Sequence, residues 1–489
     1  MPATMLWYDL ETFGRDPQHD RIAQCALIRT NEALEEIADP IVLYCRLPPD
    51  YLPDPEACYI HGITPQEAER KGIREYEFAL RIMHEMAVPN STVVGYNSIQ
   101  FDDEFIRRLF YRNLLDPYVR EWKNDNSRWD IINLMRAVHD LKYEGFEWPV
   151  NGDGNPSFRL EELAKANNIA HETAHDALFD VRATIGLAKK VQHTYPRLYE
   201  WYYHHRRREN LAPLVNLSLR EHMLVHTSQL YTRPNGCTTV ITPLGVVDAD
   251  RHALVAYDLR FKPEPFAQMS EDELRDLLFT ERLEGVTGTQ RPPITMIRLN
   301  SCPYLAPVKA LTKDSSKRLG IDIEQCRQNL RELEAMPGLK DRLIAAYRHE
   351  KKTSEELDPE YALYGGGFYP DEDRKELERF HEVLREQGPH AAKNEFLRIT
   401  FRDQRIPTLM GRLLARNFPE TLTAEQRASW RKHASGWVQL PLEKGATALA
   451  DYAQLETQIA QMREDDPRKP IAKALLDWKA HIENFIRER

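Results

Sequence analysis

Three apolar, β-rich runs open the sequence, TMLWYDLETF, RIAQCALIRT and IVLYCRL, and only turn-length segments separate them. Short connections join antiparallel neighbours, so the chain is expected to begin as an antiparallel meander. RIAQCALIRT alternates apolar and polar residues, as a half-buried strand does. The pattern then changes. TPQEAERKG and EYEFALRIMHEM read as helices, TVVGYN as a compact buried strand, and DDEFIRRLFYRNLL and SFRLEELAKANN as helices again, with proline or glycine outside them. A last helix is expected to begin near Thr173, where Thr173 and Asp176 fit a capping-box variant. Leu178, Val181, Ile185 and Ala188 form its apolar stripe, and the segment ends at Pro196.

Three strands followed by alternating helices and strands predict an α/β domain over residues 1–195, with a mixed sheet of the ribonuclease-H-like kind. The segment at about 197–210, containing YEWYYHHRRREN, reads as a hydrophilic, basic connector. MLVHTSQLY, CTTVITPLGV, HALVAYDL and ITMIRL follow, and predict a small β-barrel unit over 196–350. The charged stretch RHEKKTSEELDPE marks a boundary near 352. Beyond it, DRKELERFHEVLREQ, NEFLRITFRDQRIPTLMGRLLARNF and an amphipathic segment from Thr447 to Arg489 predict a helical unit over 352–489. Three units suit a chain of 489 residues.

Several classes are set aside by composition. No stretch approaches the roughly 18–20 apolar residues that span a bilayer. The start, MPATMLWYDLE, lacks a basic n-region and reaches an acid at position 9, so a signal peptide is not expected. Cys25, Cys45, Cys58, Cys237, Cys302 and Cys326 form no C-x-x-C pair. They read as reduced, packed thiols of a cytoplasmic protein rather than as disulfides or zinc ligands. The net charge of −10 weighs against nucleic-acid binding, whose affinity comes mainly from neutralised phosphates. An acidic active site beside a local basic groove reconciles the two.

Three acidic segments suggest such a site. Asp9 and Glu11 lie two apart in a strand, so both carboxylates share one face. Two adjacent acids on a buried strand repel unless a cation sits between them, and hard oxygen ligands suit Mg²⁺ or Mn²⁺. A solvated strand face is the alternative, disfavoured by the apolar surroundings. In GYNSIQFDDEF a strand delivers the chain to a helix start near Asp102. Asp102 reads as the inward acid and Asp103 as a solvated or capping one. In HDALFD, a spacing of five separates His175 and Asp180 by about 140° on a helix. His175 is therefore expected in the loop or first turn, and Asp180 in the second. Four acids and a histidine suit a two-metal site in which carboxylates hold the ions and the imidazole takes a proton from water.

D-x-E, N-x-x-x-F-D and H-x-A-x-x-D resemble the three motifs of the DEDDh exonucleases, and IHGIT at 60–64 resembles a loop of that group. DNSRWD at 125–130, PSFRLEELAKAN at 156–167, the CP of NSCPYLAP and RNFPETL at 416–422 extend the likeness over the whole chain, to bacterial exonuclease I. That resemblance implies an exonuclease domain, an SH3-like barrel and a helical C-terminal domain. It implies processive 3′-to-5′ hydrolysis of single-stranded DNA to mononucleotides, in repair and recombination, by a monomer. It implies two Mg²⁺ ions, replaceable by Mn²⁺, on Asp9, Glu11, Asp102 and Asp180, with His175 as general base. Glu11, His175 and Arg159 would meet the substrate's scissile end, and Arg107, Tyr118, Trp122 and Arg136 would line the strand's path. Tyr118 and Trp122, four apart, also read as core. A further partner implied is the acidic tail of single-stranded-DNA-binding protein. The basic runs at 204–208 and 402–416 read as solvated faces or as flanks of a groove. Two other readings stand beside this one. An RNA-trimming or proofreading nuclease is disfavoured by about 300 additional residues, and a degenerate binding protein is disfavoured by the filled acidic positions.

Overall fold

The computed structural model describes residues 2–169, 176–218, 220–247, 250–279, 291–347, 358–439 and 448–488. Strands β1 (Thr4–Thr12), β2 (Ile22–Thr30) and β3 (Ile41–Tyr44) form the expected antiparallel meander. Strands β4 (Ser91–Gly95) and β5 (Ser127–Asp130) add in parallel on the other side of β1, giving the order β3-β2-β1-β4-β5. Alternation along β1 divides its side chains. Met5 and Trp7 enter one core layer, and Leu6, Tyr8 and Leu10 the other.

Helices α1 (Pro55–His61), α2 (Pro65–Lys71), α3 (Glu75–Met86), α4 (Asp102–Arg112), α5 (Ile132–Leu141), α6 (Leu160–Ala166), α7 (Ala177–Thr194) and α8 (Pro196–His204) cover the sheet. α1 starts at an Asp54 cap with proline in its first position, and ends on Gly62 at φ 73, a left-handed conformation that suits glycine. α7 starts later than its sequence predicts. Its cap is Asp176, whose carboxylate accepts from the Leu178 N–H, while Thr173 lies outside the described residues. The connector expected after Pro196 is instead α8. Tyr199 and Tyr202 are buried there, packing on Trp129 at 5.2 and 5.7 Å between ring centroids. The aromatic face outweighed the basic residues that follow it.

Strands β6 (Leu224–Thr227), β7 (Thr238–Val247), β8 (Asp250–Asp258), β9 (Ile294–Arg298) and β10 (Tyr304–Pro307) make a second, wholly antiparallel sheet, ordered β10-β6-β7-β8-β9. Val225, Tyr304 and Ala306 from its edge join the core around α5 and α8. The third unit is helical, with two departures from expectation. The segment expected as one helix from Asn394 is broken between Pro389–Phe396 and Arg405–Asn417. The terminal segment is two helices, Ala448–Gln461 and Arg468–Arg487, parted by a polar stretch that ends at Pro467. The pieces on either side of each break are amphipathic on their own, which is why the pattern alone hides the breaks.

The helical unit is fastened to the first. Leu475 and Trp478 pack with Phe13, Tyr51 and Leu52, and the Trp478 indole donates to Tyr51 O at 3.0 Å. Arg416 belongs to one of the basic runs read as solvated or groove-lining, yet it is 2% exposed and paired with Asp50 and Glu360. Its charge is consumed inside the molecule. His381 joins the same interface. Tyr76 Oη donates to His381 Nδ1 at 2.8 Å, and Nε2–H donates to Leu114 O at 3.0 Å, which fixes a neutral imidazole. Burial lowers its pKa to about 4, from an ordinary 6.5. The unfolded chain therefore takes up a proton that the folded chain refuses, and stability falls as pH drops from about 6.5 toward 4. Because buried His19 and His226 respond in the same direction, the effect of His381 is read as a difference: His381→Phe should lose about 2 kcal/mol less than the wild type over that window in thermal unfolding. An unchanged profile in that variant would remove His381 from the acid response.

Candidate active site

β1 and α7 bring three carboxylates together. One oxygen each from Asp9, Glu11 and Asp180 lies within 4.8 Å of the others. Asp9 and Glu11 share a strand face as their spacing predicts, and Asp180 is the fourth residue of α7. Gln24, opposite Glu11 in β2, accepts from the Ala177 N–H at 3.3 Å and so ties the start of α7 to the sheet. The Gln24 amide is held in turn by Tyr44 Oη at 2.7 Å.

These acids resist ionisation together. Burial pushes Asp9 well above the usual carboxylate range, and Asp102, Asp180 and Glu11 add to it. Burial, then Asp180 and Asp176, push Glu11 up to about 8. Burial and then Asp103 raise Asp102. A largely buried cluster of oxygen donors, in which Asp9 and Asp180 are half-buried, that holds its protons this tightly suits a hard divalent cation, which would replace the protons and cancel the repulsion. Asp102 is 5% exposed at the start of α4 and lies outside the tightest group of three, but its charge acts on Asp9.

The neighbouring acid, read from sequence as solvated or capping, is neither. Asp103 is 1% exposed, with Arg120 Nη2 at 2.5 Å and Arg128 Nη1 at 2.7 Å. Those guanidiniums hold its carboxyl well below the usual range despite burial. Sequence reasoning also missed Asp130. Its carboxylate accepts from the N–H groups of Asn97, Ile99 and Ile132 at 2.9, 3.2 and 3.0 Å, pinning the loop that leads to Asp102. The segment DNSRWD carries both Arg128 and Asp130, and was its only signal.

The remaining predicted residues differ in exposure and in their partners. Arg159 precedes α6 with its side chain 72% exposed. Trp122 is 67% exposed and so is not core, and Tyr118 is half-buried. Arg107 is tied to Glu121 at 2.8 Å and Glu104 at 2.6 Å, with its guanidinium 5.4 Å from the Tyr118 ring. Arg136 is buried against Asn133 and against Gln229 of the second unit. Phe368, 82% exposed and edge-on to Tyr118 at 5.8 Å, extends the aromatic surface. The aromatic, glycine-interleaved YALYGGGFY was the unread signal for it. In the basic run at 204–208, His205 is buried, and Arg206 lies 3.7 Å over Tyr203 and bonds Ser127. His175 lies outside the described residues.

Known proteins share this fold. Family models described as Exonuclease, Exonuclease I SH3-like domain and Exonuclease I C-terminal domain match residues 6–188, 206–349 and 357–483. Exodeoxyribonuclease I of Escherichia coli (strain K12) is 38% identical over 480 residues, 98% of each chain. E. coli Exonuclease I in complex with a dA16 oligonucleotide superposes with a TM-score of 0.90 at 37% identity, over 98% of this chain and 100% of that one. The zinc-bound form of the E. coli enzyme with single-stranded DNA gives 0.89 at 36% identity, over 99% and 100%. An SSB/Exonuclease I structure with an inhibitor gives 0.86 at 36% identity, over 99% and 100%.

The acid cluster has a thermodynamic signature. Glu11 has an ordinary value of 4.5 in the unfolded chain and about 8 when folded. Its contribution to stability is therefore complete below about 4.5 and is lost as pH rises toward 8. In chelator, the thermal midpoint should fall from about pH 6.5, above which the buried histidines no longer respond, toward pH 8, and a divalent cation should restore it most at the upper end. Asp180→Asn should raise the chelated midpoint and abolish the restoration. A chelated midpoint that ignores pH in differential scanning would contradict the repulsion.

Proposed function

The chain belongs to the exonuclease I family, and from that premise we propose that it hydrolyses single-stranded DNA processively from the 3′ end, releasing 5′-mononucleotides. The acid cluster of Asp9, Glu11 and Asp180, with Asp102 beside it, carries this reading. These four residues would hold two Mg²⁺ ions, or Mn²⁺ in their place. Such ions, when bound, stabilise charge on the attacking and leaving oxygens of an in-line displacement. The chain's own groups do the rest. His175, proposed on its motif alone, takes a proton from the attacking water. As water's oxygen bonds phosphorus, the bond to the 3′ oxygen breaks, leaving a strand shortened by one nucleotide. Glu11 and Arg159 orient the terminal nucleotide. Tyr118 and Trp122 offer faces on which unpaired bases stack without sequence preference, Arg107 lies beside Tyr118, and Arg136 would meet the strand elsewhere on its path.

The units 1–195, 196–350 and 352–489 would act jointly, the accessory pair closing over the strand. The acidic tail of single-stranded-DNA-binding protein is the proposed protein partner, in keeping with the SSB/Exonuclease I structure. Among the described residues no helix is long and apolar enough to cross a membrane. A cytoplasmic monomer acting in DNA repair and recombination is the setting proposed.

With Mg²⁺, a 3′-labelled single strand should release labelled mononucleotide at once, while a 5′-labelled strand shortens progressively. Duplex, or chelator, should stop both. Asp9→Ala and Asp180→Ala should lower turnover by at least about 10³-fold, a loss of about 4 kcal/mol of transition-state stabilisation. His175→Ala should lose about 10²- to 10⁴-fold at neutral pH. Full activity in either aspartate variant would sink the assignment of the site, and binding without turnover in the wild type would favour a degenerate scaffold.

A further inference from the structure

Tyr8 and Asp103 are the chain neighbours of Asp9 and Asp102, and they meet on the far side of β1 from Asp9. The Tyr8 hydroxyl donates to Asp103 Oδ1 at 2.8 Å. Oδ1 also accepts from Arg120 Nη2, and Oδ2 from Arg128 Nη1. All four side chains are buried. Arg128 reaches onward to Glu121 Oε2 at 3.0 Å and to Asn300 O of the second unit at 3.0 Å. Glu121 holds Arg107, and Glu104 accepts from Tyr364 Oη of the third unit at 2.6 Å. Three arginines face three acids, so the network is neutral, and each has an ion-pair partner, although Arg120 Nε and Nη1 are buried without a hydrogen bond. β1, α4, the turn at Val119–Glu121 and β5 thus converge on one carboxylate.

The geometry points to Asp103, acting through Tyr8, as a positioning residue that fixes the separation of Asp9 and Asp102 for metal binding. This inference rests on the reading of those two acids as metal ligands. Asp9 and Asp102 repel, so nothing direct between them can set their distance. The Tyr8–Asp103 bond supplies the missing tie one residue away on each chain segment. Groups behind metal ligands typically change metal affinity or activity by about 10- to 100-fold when removed. A purely space-filling Tyr8 would be served as well by phenylalanine, which keeps the ring and leaves Asp103 paired with both arginines.

The test is a Mg²⁺ titration of Tyr8→Phe and Asp103→Asn, read by turnover and by the Mg²⁺-induced rise in thermal midpoint. In Tyr8→Phe the Mg²⁺ required for half-maximal rate, and for half the thermal rise, should increase about tenfold. KM for an oligothymidine at saturating Mg²⁺ should not change, nor should its affinity in chelator. Asp103→Asn should move the same quantities further. Tyr76→Phe, which loses a buried hydroxyl contact with His381, should lower the midpoint while keeping the wild-type Mg²⁺ requirement. A wild-type titration in Tyr8→Phe, with Asp102→Ala inactive, would overturn the inference alone. Turnover retained in Asp102→Ala would overturn the metal-site reading and the inference with it.

Discussion

Mutual repulsion among buried carboxylates is the constraint that the rest of the architecture answers. Asp9, Glu11, Asp102 and Asp180 would separate if their backbones were free to move. They stay close because each is carried by an element that is itself fixed. Asp9 and Glu11 ride the central strand of a buried sheet, hydrogen-bonded on both sides. Asp180 rides a helix tied to that sheet through Gln24, and Asp102 follows a loop pinned by Asp130. The stability of the first unit is thus partly spent on holding together groups that oppose one another, a common arrangement where a site is built before its ligand arrives.

The contrast between Asp102 and Asp103 shows how finely this is partitioned. They are adjacent, both nearly inaccessible, and both at the start of one helix. One faces acids and is driven toward its neutral form, and the other faces guanidiniums and is held ionised. One residue's rotation along α4 separates the two environments. Much of the chain's arginine is committed in the same manner, in Arg107, Arg120, Arg128 and Arg416. That leaves the acidic net charge of the molecule a poor guide to what its surface can bind.

What was legible in the sequence follows from this. The meander, the strand at TVVGYN and the pairing of Asp9 with Glu11 were readable, because strand periodicity is local and fixes which side chains share a face, whereas β5 was not read as a strand. The burial of Asp103 was not, because it depends on arginines 17 and 25 residues away that arrive only through tertiary packing. α8 was missed because its buried aromatic face runs directly into a stretch dominated by basic residues. The breaks at Leu397 and before Pro467 were hidden because the pieces on either side of each are amphipathic and the stretches that part them are short. Position along the chain revealed the acids, but only three-dimensional neighbours assigned them charge.

The contact between Trp478 and Tyr51 spans 427 positions of sequence. During synthesis, the ribosome releases the first unit long before the helix that covers Phe13, Tyr51 and Leu52 exists. For that interval a nascent chain carries a finished sheet beside a bare apolar patch. Chains cut short by a premature stop or by proteolysis would keep that patch exposed permanently, a ready target for chaperone capture or degradation. The far helix thus covers Phe13, Tyr51 and Leu52 only after nearly the whole of the third unit has been made.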